Sequence, residues 1–194
     1  IELWIGPDFR MGKDRQGDIP HLKELGREFG FLVKVIDQQL ADDEVISSTR
    51  IRAELAAGRI REVTRLLGSH SFFLGKVVMG CQRGRTIGFP TANVAVAPEK
   101  LLPADGVYAV WIRVDNKVHP AVANIGVRPT FDDAERAVEV HIFDFQQDIY
   151  GQQVRVDLVE RLRPERKFSG LEALKARIEL DSKKAREILS AEIT

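Results

Sequence analysis

The sequence contains a single cysteine, Cys81, among its 194 residues. An internal disulfide is therefore excluded, and such low cysteine usage is typical of the reducing cytosol, so we expect a cytoplasmic protein. No apolar run approaches the roughly 20 residues that span a bilayer, and no signal peptide opens the chain. Lys and Arg number 29, as do Asp and Glu. A net charge of zero supplies no overall field for nucleic acid or anionic lipid, so neither is expected as a partner.

The composition that remains is that of an ordinary folded domain. Hydrophobic residues make up 44% of the sequence and charged residues 30%, which suits a packed core under a charged surface. The chain opens without a methionine, inside the apolar run Ile1–Ile5. A strand of this kind needs partner strands, so we expect the sequence to be a piece of a longer protein.

Two patterns of secondary structure meet near residues 68 and 69. Residues 1–68 alternate strand and helix, with strands at 3–5 and 31–36 and helices around 21–29 and from 49, which predicts parallel strands with crossover helices. Residues 69–194 open with short strands between turn residues, a pattern typical of an antiparallel barrel or sandwich. The expected strands are 72–78, 107–114, 119–127, 138–145 and 154–162.

A terminal helix is predicted by an apolar stripe among charged residues. Ser169 is its expected N-cap. The stripe is formed by Leu171, Leu174, Ile178, Ala185 and Leu189.

The segment GRTIGFPTAN, residues 84–93, combines features of a phosphate site without the spacing of a Walker A loop. The glycines Gly80, Gly84 and Gly88 allow a backbone to approach a ligand closely, and Arg85 can offset phosphate charge.

Pro90 fixes its own φ and restrains the preceding residue to extended geometry. In an extended run, Thr91 and Asn93 point to the same side. Their hydroxyl and amide oxygens are ligands suited to a Mg²⁺ ion that also carries nucleotide phosphates. The alternative is a surface turn in which Asn93 bonds its own backbone, and composition alone favours that alternative.

The run VEVHI at 138–142 places Glu139 and His141 on one face of a strand and three aliphatic residues on the other. A carboxylate on a rigid strand can take a proton from an alcohol nucleophile. A solvated strand face is the commoner explanation. Phe143 and Phe145 argue against it, because they extend the Glu139 face with apolar bulk.

A third candidate is ISSTRIR at 46–52. Ser47, Ser48 and Thr49 can cap a helix start, a helix N-terminus favours an anion, and Arg52 adds positive charge. A plain N-cap on a solvated helix explains these residues almost as well.

Together these segments resemble the bacterial bifunctional riboflavin kinase/FMN adenylyltransferase (FAD synthetase) family. The motifs shared with its kinase module are GFPTAN at 88–93, DGVYAV at 105–110, NIGVRPTF at 124–131, VEVH at 138–141, YG at 150–151 and LRPERKF at 162–168. The motifs shared with its adenylyltransferase module are GPDFRMGKDRQGD at 6–18 and ISSTRIR at 46–52. The resemblance covers essentially the whole chain.

The resemblance implies an α+β protein with two modules. Residues 69–194 would form a six-stranded antiparallel Greek-key β-barrel with a C-terminal helix. Residues 1–68 would be the C-terminal part of a Rossmann-like α/β nucleotidyltransferase module. The implied reaction is Mg²⁺-dependent transfer of the ATP γ-phosphoryl to the ribityl 5′-hydroxyl of riboflavin, which gives FMN.

Roles for individual residues follow from the same resemblance. Thr91 and Asn93 would bind Mg²⁺ and nucleotide phosphates, Glu139 would act as the base, and the loop 80–88 would fold over the nucleotide. Phosphoryl transfer requires mainly positioning and charge neutralisation, which agrees with the residue types. The residues expected near the flavin are Arg128, Pro129, Thr130 and Phe131.

One part of the family pattern is missing. The adenylyltransferase module carries an H-x-G-H nucleotide motif, and none of the four histidines at 21, 70, 119 and 141 fits it. Only half of the nucleotide site remains, formed by Ser47, Ser48, Thr49 and Arg52. We therefore expect that this stretch of chain by itself does not make FAD.

Two alternatives from other classes remain. A non-catalytic flavin- or nucleotide-binding module would use the same pocket without transfer, although binding alone does not need Glu139. A small barrel that binds single-stranded nucleic acid would need a basic groove with stacking aromatics, and the zero net charge argues against it. The sequence predicts neither the oligomeric state nor the preferred divalent ion.

Overall fold

The computed structural model describes residues 1–80, 84, 87–129, 134–166 and 168–192. They form two compact units, Ile1–Ser47 and Ser48–Thr194. Helices and strands occur in both units, which confirms the α+β class. In this described part of the chain, no helix combines the length and apolarity needed to cross a membrane.

The first unit is built on two parallel strands, β1 (Glu2–Ile5) and β2 (Leu32–Val35), joined by helix α1 (Ile19–Phe29). The Asp18 carboxylate accepts a hydrogen bond of 3.0 Å from the backbone N–H three residues on and caps α1. Gly30 ends the helix with a φ of 76°, a left-handed conformation that glycine adopts without strain. The predicted strand–helix–strand pattern is confirmed.

A short hairpin that the sequence analysis did not predict follows in the first unit. Its strands are β3 (Leu40–Ala41) and β4 (Glu44–Val45). Asp42 and Asp43 form the turn with φ values of 55° and 62°, the positive values that a two-residue hairpin loop requires.

The second unit begins with helices α2 (Ser48–Ala56) and α3 (Ile60–Leu67) and continues as a closed barrel. Its six strands are β5 (Phe72–Val78), β6 (Ala92–Val96), β7 (Gly106–Val114), β8 (Lys117–Pro129), β9 (Ala134–Ile142) and β10 (Gln153–Pro164). All pairings are antiparallel, in the order β10-β5-β6-β9-β8-β7, and β7 closes onto β10. The expected Greek-key barrel is confirmed. Because β6 pairs with β9, residues 97–105 and 143–152 cross opposite ends of the barrel.

Two strands differ from the sequence-based expectation. No separate strand was predicted at β6, which is only five residues long and follows a proline rather than a turn motif. The predicted strand 138–145 ends at Ile142, because Phe143 and Asp144 form a turn in which Asp144 has a φ of 54°.

Alternation along the strands divides the side chains between the barrel interior and its outer surface. Val138 and Val140 of β9 point inward and join an interior cluster whose largest fully buried member is Tyr108. A second cluster lies outside, where helix α4 (Leu171–Ala191) packs on β7, β8 and β10 through residues such as Leu189. The interior cluster is therefore the main core of the barrel, and the second cluster attaches the C-terminal helix to its outer surface.

The 97–105 crossover and helices α2 and α3 close one end of the barrel. Arg136 and Arg161 donate hydrogen bonds to backbone carbonyls of this crossover at 2.5 and 2.6 Å. The Tyr108 hydroxyl donates to another of its carbonyls, and burial raises the pKa of Tyr108 to about 12. Ile60 and Val63 of α3 join the interior cluster. Contacts thus group α2 and α3 with the barrel, and the predicted module boundary near residues 68 and 69 stays a prediction.

The start of α4 differs from the prediction. No side-chain hydrogen bond caps this helix, and its N-cap residue is Gly170, so the prediction that Ser169 caps it is wrong. The apolar stripe is buried at Ala185 and Leu189, but Leu171 is 59% exposed. The fully buried residues of the helix thus all lie in its second half.

A buried carboxylate anchors α4 to the barrel. Asp181 is 3% exposed and accepts a hydrogen bond of 2.8 Å from Arg163 Nε of β10. Arg177 Nε lies 3.0 Å from the other carboxylate oxygen, an ion pair whose angle is too poor for a hydrogen bond. Two guanidinium groups therefore offset one buried negative charge.

We predict that Asp181→Ala lowers the free energy of unfolding by about 3 kcal/mol, because it leaves a buried guanidinium without its counter-ion. The control is Asp144→Asn, which breaks the ion pair of the 80% exposed Asp144 with Arg186 and keeps a residue type that tolerates the positive φ at this position. It should cost less than about 1 kcal/mol. Chemical denaturation followed by tryptophan fluorescence measures both. Equal losses for the two variants would contradict the role assigned to Asp181.

Candidate functional site

A row of polar side chains crosses three neighbouring strands on the outer surface of the barrel. Glu139 of β9 lies directly opposite Asn93 of β6 on one side and Asn124 of β8 on the other. Directly paired residues of antiparallel strands share one face, with Cβ atoms about 5 Å apart. An amide, a carboxylate and a second amide are therefore neighbours, and we call these three residues the polar row.

Asn93 is enclosed although it lies on the outer surface. It is 8% exposed, and a Cβ atom at Gly80 would overlap its amide group. Gly84 is packed as closely: its Cβ would collide with the Phe89 carbonyl and lie 3.3 Å from Thr91 Oγ1. These two glycines allow close packing of the chain against itself, and their predicted approach to a ligand stays a prediction.

The turn before β6 is held by its own backbone. The Phe89 N–H donates to the Gly84 carbonyl at 2.8 Å, and the Ile87 N–H donates to the same carbonyl at 3.2 Å. Gly88 has a φ of 88°, which glycine tolerates and other residues rarely adopt. The turn delivers Pro90 and then Thr91 to the start of β6.

Thr91 and Asn93 flank Ala92, which pairs with the inward-pointing Val140. Thr91 directly precedes β6, and alternation continued by one residue puts it on the side of Asn93. The Thr91 hydroxyl thus lies two residues along the chain from the amide that is paired with Glu139.

His141 connects this strand to the turn. Its Nδ1 atom lies 2.8 Å from the Pro90 carbonyl oxygen. The imidazole makes edge contacts with Phe89 and Phe143, at ring-centroid distances of 5.5 and 5.7 Å. His141 therefore packs together with Phe89, Phe143 and the Pro90 carbonyl on the outer surface.

The two phenylalanines after His141 separate, contrary to the sequence-based expectation. Phe143 stays on the outer surface, where the Arg186 guanidinium lies 4.2 Å from its ring centroid. Hydrogen bonds from Arg186 also lower the pKa of Asp144. Phe145 packs against the interior cluster instead, because the turn at Phe143 and Asp144 reverses the chain. Only Phe143 extends the Glu139 face.

A cavity of about 490 Å³ opens at the other end of the barrel from α2 and α3. Apolar side chains of the strands form its inner wall and the 143–152 crossover forms its rim. Glu139 and Asn93 are not among its lining residues, whereas Thr91 is shared by the cavity and the face of the polar row. The residues around it are Val77, Pro90, Thr91, Ala92, Val140, Ile142, Phe145, Gln146, Gln147, Asp148, Ile149 and Tyr150.

A metal bound by this site would need ligands beyond the protein. Within the described residues, no three His, Cys, Asp or Glu side chains cluster to hold an ion. Thr91 and Asn93 offer oxygen atoms, the ligand type that Mg²⁺ prefers, and Mg²⁺ usually completes its shell with water and substrate phosphates. The residues present fit Mg²⁺ carried by a nucleotide and do not fit a site made by protein alone.

For the other predicted site residues, the structure gives at most a position along the chain. Arg85, Thr130 and Phe131 lie outside the described residues, and Arg128 and Pro129 end β8. Ser47 precedes α2, while Ser48, Thr49 and Arg52 lie in its first two turns. The roles of these residues stay predictions.

Sequence analysis did not single out Asn124 or assign a task to His141. Asn124 had a signal, since it is the one amide within the apolar run AVANIGV of β8. Its pairing with Glu139 depends on strand register, which the sequence pattern does not give. The contact between His141 and Pro90 joins residues 51 positions apart, beyond the reach of local patterns.

Known proteins are similar to this chain over most of its length. The riboflavin kinase family matches residues 67–189, and the FAD synthetase family matches residues 1–50. The bifunctional riboflavin kinase/FMN adenylyltransferase of Haemophilus influenzae is 40% identical, over 97% of this chain and 61% of its own. Its namesake from Listeria monocytogenes is 41% identical, over 93% of this chain and 58% of its own.

A solved structure is also similar. A crystal structure described as a macrolide-efflux protein from Streptococcus pneumoniae has a TM-score of 0.82 and 37% sequence identity, over 94% of this chain and 60% of its own. The barrel and its family match define the class of the protein as a kinase. Because the kinase match covers more than half of the residues, the chain belongs to the riboflavin kinase family. It spans about 60% of the length of the curated relatives it matches.

We predict that Gly80→Ala displaces the Asn93 amide, because the added Cβ atom occupies its position. Overpacking of this kind costs about 1–3 kcal/mol of unfolding free energy. The matched control is Gly6→Ala, whose Cβ meets only an oxygen of the exposed Asp8 at 3.1 Å. Denaturation and the NMR signals of the Asn93 amide group measure the effect. An unchanged Asn93 signal in Gly80→Ala would show that the enclosure is wrong.

Proposed function

We propose that the barrel transfers the γ-phosphoryl group of Mg²⁺-bound ATP to the ribityl 5′-hydroxyl of riboflavin. The observation that carries the proposal is the pairing of Asn93 with Glu139 across β6 and β9. A new bond forms between the 5′-oxygen and the γ-phosphorus, and the bond from that phosphorus to the oxygen it shares with the β-phosphate breaks. The products are FMN and ADP.

Thr91 and Asn93 are the residues that would hold the magnesium nucleotide. A bound Mg²⁺ ion would offset the charge of the phosphate oxygens. The enclosure of Asn93 under Gly80 supports this role, because a side chain that is already fixed loses little conformational entropy on binding. The fixed φ of Pro90 acts in the same direction, because it removes one free torsion from the backbone that leads into Thr91.

Glu139 would accept the proton of the 5′-hydroxyl as the oxygen attacks phosphorus. It projects from the middle of a strand that is paired on both sides, so the backbone beneath it is rigid. Positioning on a rigid element favours proton transfer in the transition state. Asn124, the third member of the polar row, is well placed to hydrogen-bond the sugar chain or the carboxylate.

The nucleotide base would bind in the cavity beside Thr91. Its wall is apolar, and Phe145 and Tyr150 stand at its rim with the amide groups of Gln146 and Gln147. Apolar walls with a few polar groups are typical of small-molecule sites. A nucleotide with its base there would run its phosphates past Thr91 towards the polar row.

A second activity is proposed for the longer protein. Relatives that are longer than this chain are named bifunctional, and we propose that a longer protein containing this chain also adenylylates FMN. The expectations that residues 1–194 alone do not make FAD, that no nucleic acid is needed, and that the location is cytoplasmic stay predictions.

The direct test incubates the purified chain with riboflavin, ATP and Mg²⁺ and separates the flavins by chromatography. We predict that FMN forms, that omission of Mg²⁺ abolishes it, and that no FAD appears. A well-folded sample that binds flavin or nucleotide but forms no FMN would contradict the proposal and favour the non-catalytic binding module.

We further predict that Glu139→Gln lowers kcat by about 10²- to 10⁴-fold, the usual contribution of a general base, while the affinity for the nucleotide stays within about twofold. A base acts in the transition state and not in ground-state binding. Steady-state kinetics and calorimetry with Mg·ADP separate the two effects. Glu99→Gln, in the exposed turn after β6, serves as the control. Weakened binding with intact turnover would remove the role of Glu139.

A further inference from the structure

We infer that His141 is a positioning residue for the nucleotide site: its Nδ1–H holds the Pro90 carbonyl and thereby sets the direction of Thr91. The inference rests on the proposed function, because it assigns a task within the same site. It is carried by the contact of 2.8 Å between His141 Nδ1 and the Pro90 oxygen.

The geometry of Pro90 makes this contact consequential. A residue has two soft backbone torsions, and the proline ring fixes one of them, φ. Rotation about ψ of Pro90 is the freedom that remains, and this rotation turns the plane of the peptide that leads into Thr91. Proline has no N–H, so the carbonyl is its only hydrogen-bonding group. A bond to that carbonyl therefore fixes the last free torsion before Thr91.

The ladder of β6 does not replace this bond. The β6–β9 pairing begins at Ala92, opposite Val140, so Thr91 lies one residue before the first paired position. His141 follows Val140 directly and faces the unpaired segment. The hydrogen bond from His141 to Pro90 thus links the two strands just beyond the point where their backbone hydrogen bonds end.

The imidazole is itself held in place. Phe89 and Phe143 contact it at interplanar angles of 76° and 72°, the edge-on arrangement that aromatic pairs favour. Phe143 is covered by Arg186, which forms two hydrogen bonds with Asp144 at 2.8 and 3.1 Å. Helix α4 therefore supports the ring that orients Pro90.

The protonation of the ring follows from its partner. A carbonyl oxygen only accepts hydrogen bonds, so Nδ1 must carry the proton. In the neutral side chain, Nε2 then has the lone pair. This assignment gives a prediction that does not depend on catalysis.

Three variants test the inference. His141→Asn keeps a donor near the position of Nδ1, His141→Gln moves the donor to the position of Nε2, and His141→Phe keeps the ring without any donor. We predict that the KM for Mg·ATP and the Kd for Mg·ADP rise roughly tenfold in the Gln and Phe variants and stay within about twofold in the Asn variant, the size expected for one hydrogen bond. The KM for riboflavin should change by less than about twofold in all three.

A second readout uses the unmodified protein without ligands. Long-range ¹H–¹⁵N NMR of the His141 ring should show the proton on Nδ1. A proton on Nε2 alone would overturn the inference, and so would equal nucleotide affinities in the Asn and Gln variants. If the Phe variant fails to fold, the Asn and Gln pair, both polar, decides the question.

Different results would contradict the kinase function and the role of His141. An absence of FMN from the unmodified chain removes the kinase function, whatever the variants do. FMN formation with the same Mg·ADP affinity in all three variants removes the role of His141 and leaves the kinase function intact.

Discussion

The geometry of the site depends on the register between β6 and β9. This register sets Asn93 opposite Glu139 and Ala92 opposite Val140. A shift of one residue would turn Asn93 into the barrel interior and move its neighbour Val94 to the outer surface. Burial of Val94 in the interior cluster opposes that shift, because its side chain would lose about 1.5–3 kcal/mol of hydrophobic stabilisation. Core packing and site geometry are thus fixed by the same pairing.

The Greek-key connections bring the rest of the site to this pair. Because β6 is followed in space by β9 and not by β7, the 143–152 crossover passes the open end of the barrel and lines the cavity beside Thr91. Gly80 packs against Asn93, and Gly84 packs against Phe89 and Thr91, in each case too closely for a Cβ atom. Helix α4, anchored through Asp181, supports the neighbouring surface through Arg186 and Phe143. Turn, crossover and helix therefore meet around one strand pair.

Local patterns in the sequence predicted much of this arrangement. Alternation placed Glu139 on the face opposite Val138 and Val140, and the proline marked Thr91 and Asn93 as an extended pair. The family resemblance supplied the Greek-key order. Register was beyond reach, so the place of Asn124 beside Glu139 was not predicted. The end of β9 was misplaced because Asp144 adopts a positive φ, and Ser169 was given a cap that the structure does not contain. The pairing of Asn124 is a long-range feature, whereas the other two are local backbone conformations that apolar periodicity does not indicate.

The central claim is that the face shared by Thr91, Asn93 and Glu139 receives the reacting phosphate. Its most direct test is a crystal structure of this chain with Mg²⁺, a non-hydrolysable ATP analogue and riboflavin. The account predicts a metal bound by the side-chain oxygens of Thr91 and Asn93, with the γ-phosphate and the ribityl 5′-hydroxyl next to the Glu139 carboxylate. Phosphates held away from Asn93, with the flavin hydroxyl out of reach of Glu139, would contradict it.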